Sequence, residues 1–368
     1  MKNQAFIVPL LGIILSFCTP PPGWKNSPYL YGRYAGSTIR YSGDSIRVLI
    51  YSGPGTEITS EGVYQYKTTS GTKSGRGRFS PVFPGEIKFS EKGFALQSRQ
   101  YNGDLFIHDA GGGKLNYVIH VLFEDYLVSV LGHEMGDSWP LEALKAQAVV
   151  ARTYAIARIN NKKDYDMTSD TTNQVFGGNP SKSENLKKAV AQTAGLILAY
   201  DGKPADVYFH SSCGGSLASS SEVWKTNRPY LVQKKTGDCV SSSAYKWKYE
   251  TKISDFAKII GLSSVSGVNI SSKTPSGRVD ELIFTGGGTF KKISAADFRK
   301  KIGGVTIKST LFGIRISGNN IQISGKGYGH GVGMCQWGAR AKAASQSFRA
   351  IIEYYFPGVR ITDLRSVT

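Results

Sequence analysis

A change of hydrophobic period at Phe123 does most to limit how this chain can fold. Before it, segments such as Ser45-Ile-Arg-Val-Leu-Ile-Tyr51 alternate apolar and polar residues between glycine turns, the period-two pattern of half-buried strands. After it, Phe123, Leu127 and Val130 fall on one helical face, and Leu141, Leu144, Ala148, Ala151, Ala155 and Ile159 form a second apolar stripe. Gly132 is well placed to end the first helix in a left-handed cap and Pro140 suits the first turn of the second, which puts His133-Glu134-Met135 in a connector. Further on, Leu196 to Tyr200 and Ala205 to His210 read as strands. Ser254 to Ile260, Ala295 to Lys301 and Phe348 to Phe356 read as helices, the last stopped by Pro357-Gly358. With 43 glycines and 20 tyrosines among 368 residues, the pattern predicts an α+β protein, strand-rich with a few helices. Its expected divisions are a leader over 1–23, a β-rich part over 24–120 and a larger domain over 121–368, with a smaller subdomain inserted at about 245–324.

The leader bears on the compartment. Lys2 precedes an apolar run from Ala5 to Phe17 that Pro9 and Gly12 interrupt, too short for a mature membrane span and typical of a signal peptide. Leu15-Ser16-Phe17-Cys18 resembles a lipoprotein box, making Cys18 a candidate lipid anchor; cleavage between Pro20 and Trp24 is the alternative. Either way the expected location is the periplasm or cell envelope. A net charge of +18 favours polyanionic partners, yet the lysines are scattered and accompany no helix-turn-helix, zinc-finger or RNP signature, so nucleic acid is not the expected partner. In an oxidising compartment Cys213 and Cys239 are expected to form a disulfide, leaving Cys335 unpaired. His210, Cys213 and Cys239 as metal ligands are the competing pattern, a weak one, and no metal or other cofactor is expected.

Three groups of residues could carry chemistry. A carboxylate in a short connector can project into a cleft, where desolvation raises its pKa enough for general acid work; Glu134 has that position, although position alone also fits an ordinary solvated loop residue. Lys145 and Arg152 lie about two turns apart on one side of the second helix, amid small apolar neighbours, so Arg152 needs a carboxylate partner. Gly325-Lys-Gly-Tyr-Gly-His-Gly-Val-Gly333 places glycine at every second position, which in an extended chain would leave one face bare for close approach and put Tyr328 and His330 on the other.

Glu134-Met135 and the run Trp139-Pro-Leu-Glu-Ala-Leu-Lys-Ala-Gln-Ala-Val-Val-Ala-Arg-Thr-Tyr-Ala155 resemble the signature of the SpoIID/LytB (stage II sporulation protein D) family. The resemblance extends through Phe123 to Leu127, Asp170 to Phe176, Phe209-His-Ser-Ser-Cys-Gly-Gly215, Trp224, Pro229 to Leu231, Ser276 to Val279 and Gly325 to Ala339. It implies a lytic transglycosylase that cuts peptidoglycan glycan strands between N-acetylmuramic acid and N-acetylglucosamine, leaving a 1,6-anhydro end. Glu134 would be its acid/base, with Lys145 and Arg152 supporting activity. Asp170, Gln174, Ser211, Ser212, Tyr328, His330 and Gln336 are the candidates for lining the glycan groove. The LytB branch implies the alternative, a non-catalytic wall-binding enhancer of an N-acetylmuramoyl-L-alanine amidase, which would add that amidase as a partner. A thiol hydrolase using Cys335 and His330 is a third reading. Some sporulation members carry a Cys-Asp-x-x-His-Cys zinc motif where this chain has Ser169-Asp-Thr-Thr-Asn-Gln-Val-Phe176, which predicts no zinc there.

Overall fold

The computed structural model describes residues 45–367 except 91, 92, 161 and 180–182, together with the strand pair Arg33–Tyr34 and Ser37–Thr38. The expected signal peptide, Cys18 and the boundary at residue 23 lie outside the described residues. The fold is α+β, as the alternation of periods requires.

Eight strands follow that pair: β1 (Ser45–Gly53), β2 (Ile58–Thr68), β3 (Gly71–Phe79), β4 (Gly85–Phe89), β5 (Phe94–Leu96), β6 (Arg99–Tyr101), β7 (Asp104–Gly111) and β8 (Lys114–Leu122). With β9 (Met167–Thr168) they make a nine-stranded sheet in the order β9-β1-β8-β7-β4-β2-β5-β6, with β3 on β2; all pairings are antiparallel except β9 on β1. Alternate residues Ile46, Val48 and Ile50 of β1 are buried, and so are Leu105 and Ile107 of β7. One face of the sheet thus feeds the main core, where α1 (Phe123–Glu134) and α2 (Leu141–Ile156) pack.

The first helix runs farther than its glycine suggested. Gly132 keeps a right-handed conformation on an exposed face, and Met135 N–H returns to Leu131 O at 2.9 Å. Glu134 is therefore the last residue of α1 rather than part of a connector.

Every residue of α2 from Ala146 to Ile156 is buried. Arg152, 1% exposed, solves its desolvation problem with Glu124 in the first turn of α1: Nε and Nη2 donate to the two carboxylate oxygens at 3.2 and 2.9 Å. Its remaining donors reach Val190 O, Thr193 O and Leu196 O, the end of α3 (Glu184–Gln192) and the start of β10 (Leu196–Tyr200). One guanidinium thereby locks two helices, a third helix end and a strand. Lys145 pairs with Glu142 and lies 5.0 Å over the Phe348 ring, while Glu142 accepts the Phe348 N–H at 2.7 Å.

Farther along, β11 (Phe209–His210) precedes the five-residue α4 (Ser220–Trp224). A second hydrophobic core then forms from β12 (Trp247–Lys252), α5 (Ile253–Ile260), β13 (Gly267–Lys273), β14 (Val279–Gly286), β15 (Thr289–Ser294), α6 (Ala295–Ile302), β16 (Phe312–Ser317) and β17 (Asn320–Gly325), around Phe256, Phe284 and Phe298. The chain returns to the main core through β18 (Met334–Cys335), parallel to β11, then α7 (Gln336–Lys342), α8 (Phe348–Tyr355) and β19 (Arg360–Asp363), which pairs with β10. No helix among the described residues is long and apolar enough to cross a membrane.

Removing one partner of a buried ion pair strands the other charge, at a cost of about 3–5 kcal/mol. Arg152→Met is expected to lower the unfolding free energy measured by chemical denaturation by that amount, and Arg152→Met combined with Glu124→Leu to recover most of it; equal loss in single and double variants would show that the pair is not the lock.

Candidate active-site cleft

Glu134 lies in a cleft of about 600 Å³. Its Oε1 accepts the Val175 N–H at 3.2 Å and its Oε2 accepts from Gln336 Nε2 at 3.4 Å, so a loop and the first residue of α7 converge on one carboxyl. Burial raises its pKa above the ordinary value; the Val175 and Gln336 hydrogen bonds and His133 oppose this without reversing it. A position at the negative end of α1 also disfavours ionisation. Among the described residues no other Asp or Glu lines the cleft.

Aromatic side chains form the facing wall. The Tyr208 and Trp224 rings are 4.3 Å apart, and Trp224 lies 5.1 Å from His330. Tyr208 donates to Asp206 at 3.0 Å, and Arg158 bridges Asp206 and the face of Tyr154 at 3.0 and 3.5 Å, which holds the wall in place. Faces of this kind pack against the C–H surfaces of sugar rings while polar rim groups take hydroxyls. His330 is fixed as a neutral imidazole: Nε2–H donates to Phe209 O at 2.9 Å and Nδ1 accepts the Val332 N–H at 3.1 Å. Burial first, and Arg278 second, pull its pKa down to about 4.

The glycine run is not an extended strand. Gly327, Gly329, Gly331 and Gly333 all have positive φ, so every second residue bends the chain. Close approach is nevertheless their use: a Cβ at Gly331 would lie 2.1 Å from the Arg278 guanidinium, and one at Gly333 2.1 Å from Tyr208 O.

Of the residues singled out in the sequence, Glu134, His210, Ser211, Tyr328, His330 and Gln336 meet in this cleft. The others do not. Lys145 and Arg152 are taken up by the packing described above and line no part of it. Gln174 is fully buried, accepting from Tyr126 and donating to Ala151 O. Ser212 is buried behind the wall, with its backbone paired to Tyr328. Asp170 closes a turn with Thr168 and Thr172. Cys213 and Cys239 are free thiols with sulfurs 3.3 Å apart, not a disulfide. Cys335 is fully buried and the ring nitrogens of His330 are both engaged, so Cys335 and His330 do not form a thiol–imidazole pair. Tyr154, Asn173, Tyr208 and Trp224 also line the cleft. Trp224 gave one usable signal, a large aromatic in a Ser/Gly-rich stretch.

Residues 111–200 match the family profile described as Stage II sporulation protein, and 220–333 match a domain of unknown function. Stage II sporulation protein D of Bacillus amyloliquefaciens is 31% identical over 273 residues, covering 68% of this chain and 76% of that protein. The chain belongs to the stage II sporulation protein D family. An uncharacterized protein of Brachyspira hyodysenteriae is 34% identical over 287 residues, 76% of each chain. The amidase enhancer of Bacillus subtilis is 32% identical over 288 residues, and the match spans 40% of its length.

The zinc motif of some members of this family has no counterpart that fits here. Across 169–176 the one ionisable side chain is Asp170, whose Oδ1 already accepts from Thr168 and Thr172. The electrostatics of Glu134 make a stability prediction. Because its folded pKa is raised, the native state holds the proton more tightly than the unfolded chain; that stabilisation is complete below about pH 4 and lost as pH rises through the folded value. Glu134→Gln is thus expected to unfold at a higher temperature than the parent near neutral pH, with the gap closing toward about pH 4. A gap that widens on acidification would contradict the raised pKa.

Proposed function

We propose that the protein is a cell-envelope lytic transglycosylase acting on peptidoglycan glycan strands. The observation that carries this reading is a single desolvated carboxyl, Glu134, facing an aromatic wall. Glycosidases that hydrolyse use two carboxyl groups, one to protonate the leaving oxygen and one to activate water or attack the sugar. With one carboxyl the sugar must supply its own nucleophile. Glu134, protonated, gives its proton to the glycosidic oxygen as the bond to muramic acid C1 breaks. As carboxylate it then takes the proton of the C6 hydroxyl while O6 bonds to C1, which closes the 1,6-anhydro ring and regenerates the acid. Protons and bonds balance without water. The Val175 N–H and Gln336 amide steady the carboxylate in the interval.

A second reading has one specific observation in its favour, the similarity to a protein named amidase enhancer. In that reading the same cleft grips glycan while an amidase partner cuts the stem peptide.

Incubation with intact sacculi and with glycan strands stripped of stem peptides separates the two. Anhydro-muramic products by mass spectrometry are expected from at least one substrate. Glu134→Gln is expected to remove about 100-fold or more of the rate, while Trp224→Ala weakens glycan binding and leaves the carboxyl intact. The parent's rate should fall as pH rises through the raised pKa of Glu134, since the first step needs the protonated acid. No anhydro product from either substrate, with stimulation of an added amidase, would replace the enzyme reading by the enhancer reading.

A further inference from the structure

Behind the aromatic wall, His210, Cys213 and Cys335 converge from distant parts of the chain, and Cys239 lies against Cys213. Parallel pairing of β11 with β18 sets His210 in register with Cys335, and the tight turn after Ser212 brings Cys213 to both. The ligand atoms of His210, Cys213 and Cys335 all lie within 4.8 Å of one another. Cys239 Sγ is 3.3 Å from Cys213 Sγ, far beyond the disulfide bond of about 2.05 Å and close to the edge of about 3.8 Å set by sulfurs 2.3 Å from a tetrahedral centre. We propose that His210, Cys213, Cys239 and Cys335 form a structural zinc site of the Cys3His class.

Three independent features point to a cation there. His210 is 4% exposed; its Nδ1–H donates to Val332 O at 3.0 Å, while its Nε2 is buried without a hydrogen-bond partner. A ligating imidazole has this arrangement, one nitrogen oriented by a carbonyl and the other offering its lone pair. Amide donors converge on a sulfur: Cys213 N–H and Gly338 N–H point at Cys335 Sγ at 3.3 and 3.4 Å. Such donors suit thiolates better than thiols. Lastly, Arg278 is 2% exposed beside the cluster; Nη2 donates to Cys213 O and Ser216 O, but Nε and Nη1 have no hydrogen-bond partner. Glu222 interacts with it electrostatically, although its oxygens are engaged by Ser219 and Ser276. A dication with three thiolates and a neutral imidazole carries one net negative charge, which offsets this guanidinium; a Cys213–Cys239 disulfide would leave both Arg278 and His210 Nε2 uncompensated.

The site would also act on the cleft without touching substrate. Cys335 is the N-cap of α7, and the next residue, Gln336, donates to Glu134. Zinc is therefore a positioning element for that amide, and its presence is measurable whether or not the protein cuts glycan.

The test uses the full chain carrying Cys18→Ser, purified without reductant or chelator, with metal read by inductively coupled plasma mass spectrometry and thiols counted in denaturant with chelator. One zinc per chain and three thiols are expected, with the zinc lost in Cys213→Ser and in Cys335→Ser. Should those variants fail to fold, cobalt exchanged into the Cys18→Ser protein decides, with thiolate-to-cobalt charge-transfer absorption and tetrahedral ligand-field bands expected. A metal-free protein with one thiol and a mass lower by two hydrogens would overturn the proposal in favour of the disulfide. Zinc that survives Cys335→Ser, or cobalt uptake without charge-transfer absorption, would overturn it as well.

Discussion

The buried pair of Arg152 and Glu124 is the constraint on which the rest depends. A guanidinium in a helix whose last eleven residues are all buried is tolerable only because a carboxylate and three carbonyl groups surround it. Those partners belong to α1, α3, the loop after it and β10, so the pair fixes how α1 lies against α2. Glu134 ends α1, and its place in the cleft is set at the other end of the same helix.

The cleft is assembled at the junction of segments far apart in sequence. The helix end carrying Glu134, the loop bearing Val175 and the start of α7 meet at one carboxyl, and the glycine run threads between His210 and Arg278 to carry the chain there. Van der Waals limits make that passage possible only for glycine at Gly331 and Gly333. The desolvation that raises the Glu134 pKa follows from this convergence.

Much of the fold was legible because period and punctuation are local. The switch at Phe123, Pro140 before α2, and Pro357-Gly358 after α8 each act over a turn or less. The structure departs from the local pattern where geometry is set by distant partners. Gly132 has the right position for a cap, but nothing forces its backbone left-handed, and α1 continues to Glu134. The small apolar neighbours of Arg152 imply a carboxylate partner, yet its spacing from Lys145 says nothing about whether that carboxylate faces a cleft or a core. Alternating glycines suggested a bare extended face; positive φ at each bends the run instead, while keeping the close approach. Pairing of β11 with β18 spans more than a hundred residues, so the meeting of His210 and Cys335 left no mark in local sequence.

A single carboxyl in the cleft requires the sugar to act as its own nucleophile in the proposed reaction. Isotopic tracing tests it most directly: reaction with denuded glycan strands in water enriched in oxygen-18, followed by mass spectrometry of the new muramic ends. Anhydro ends with no label are expected. Labelled reducing ends would show that water attacks, and would contradict it.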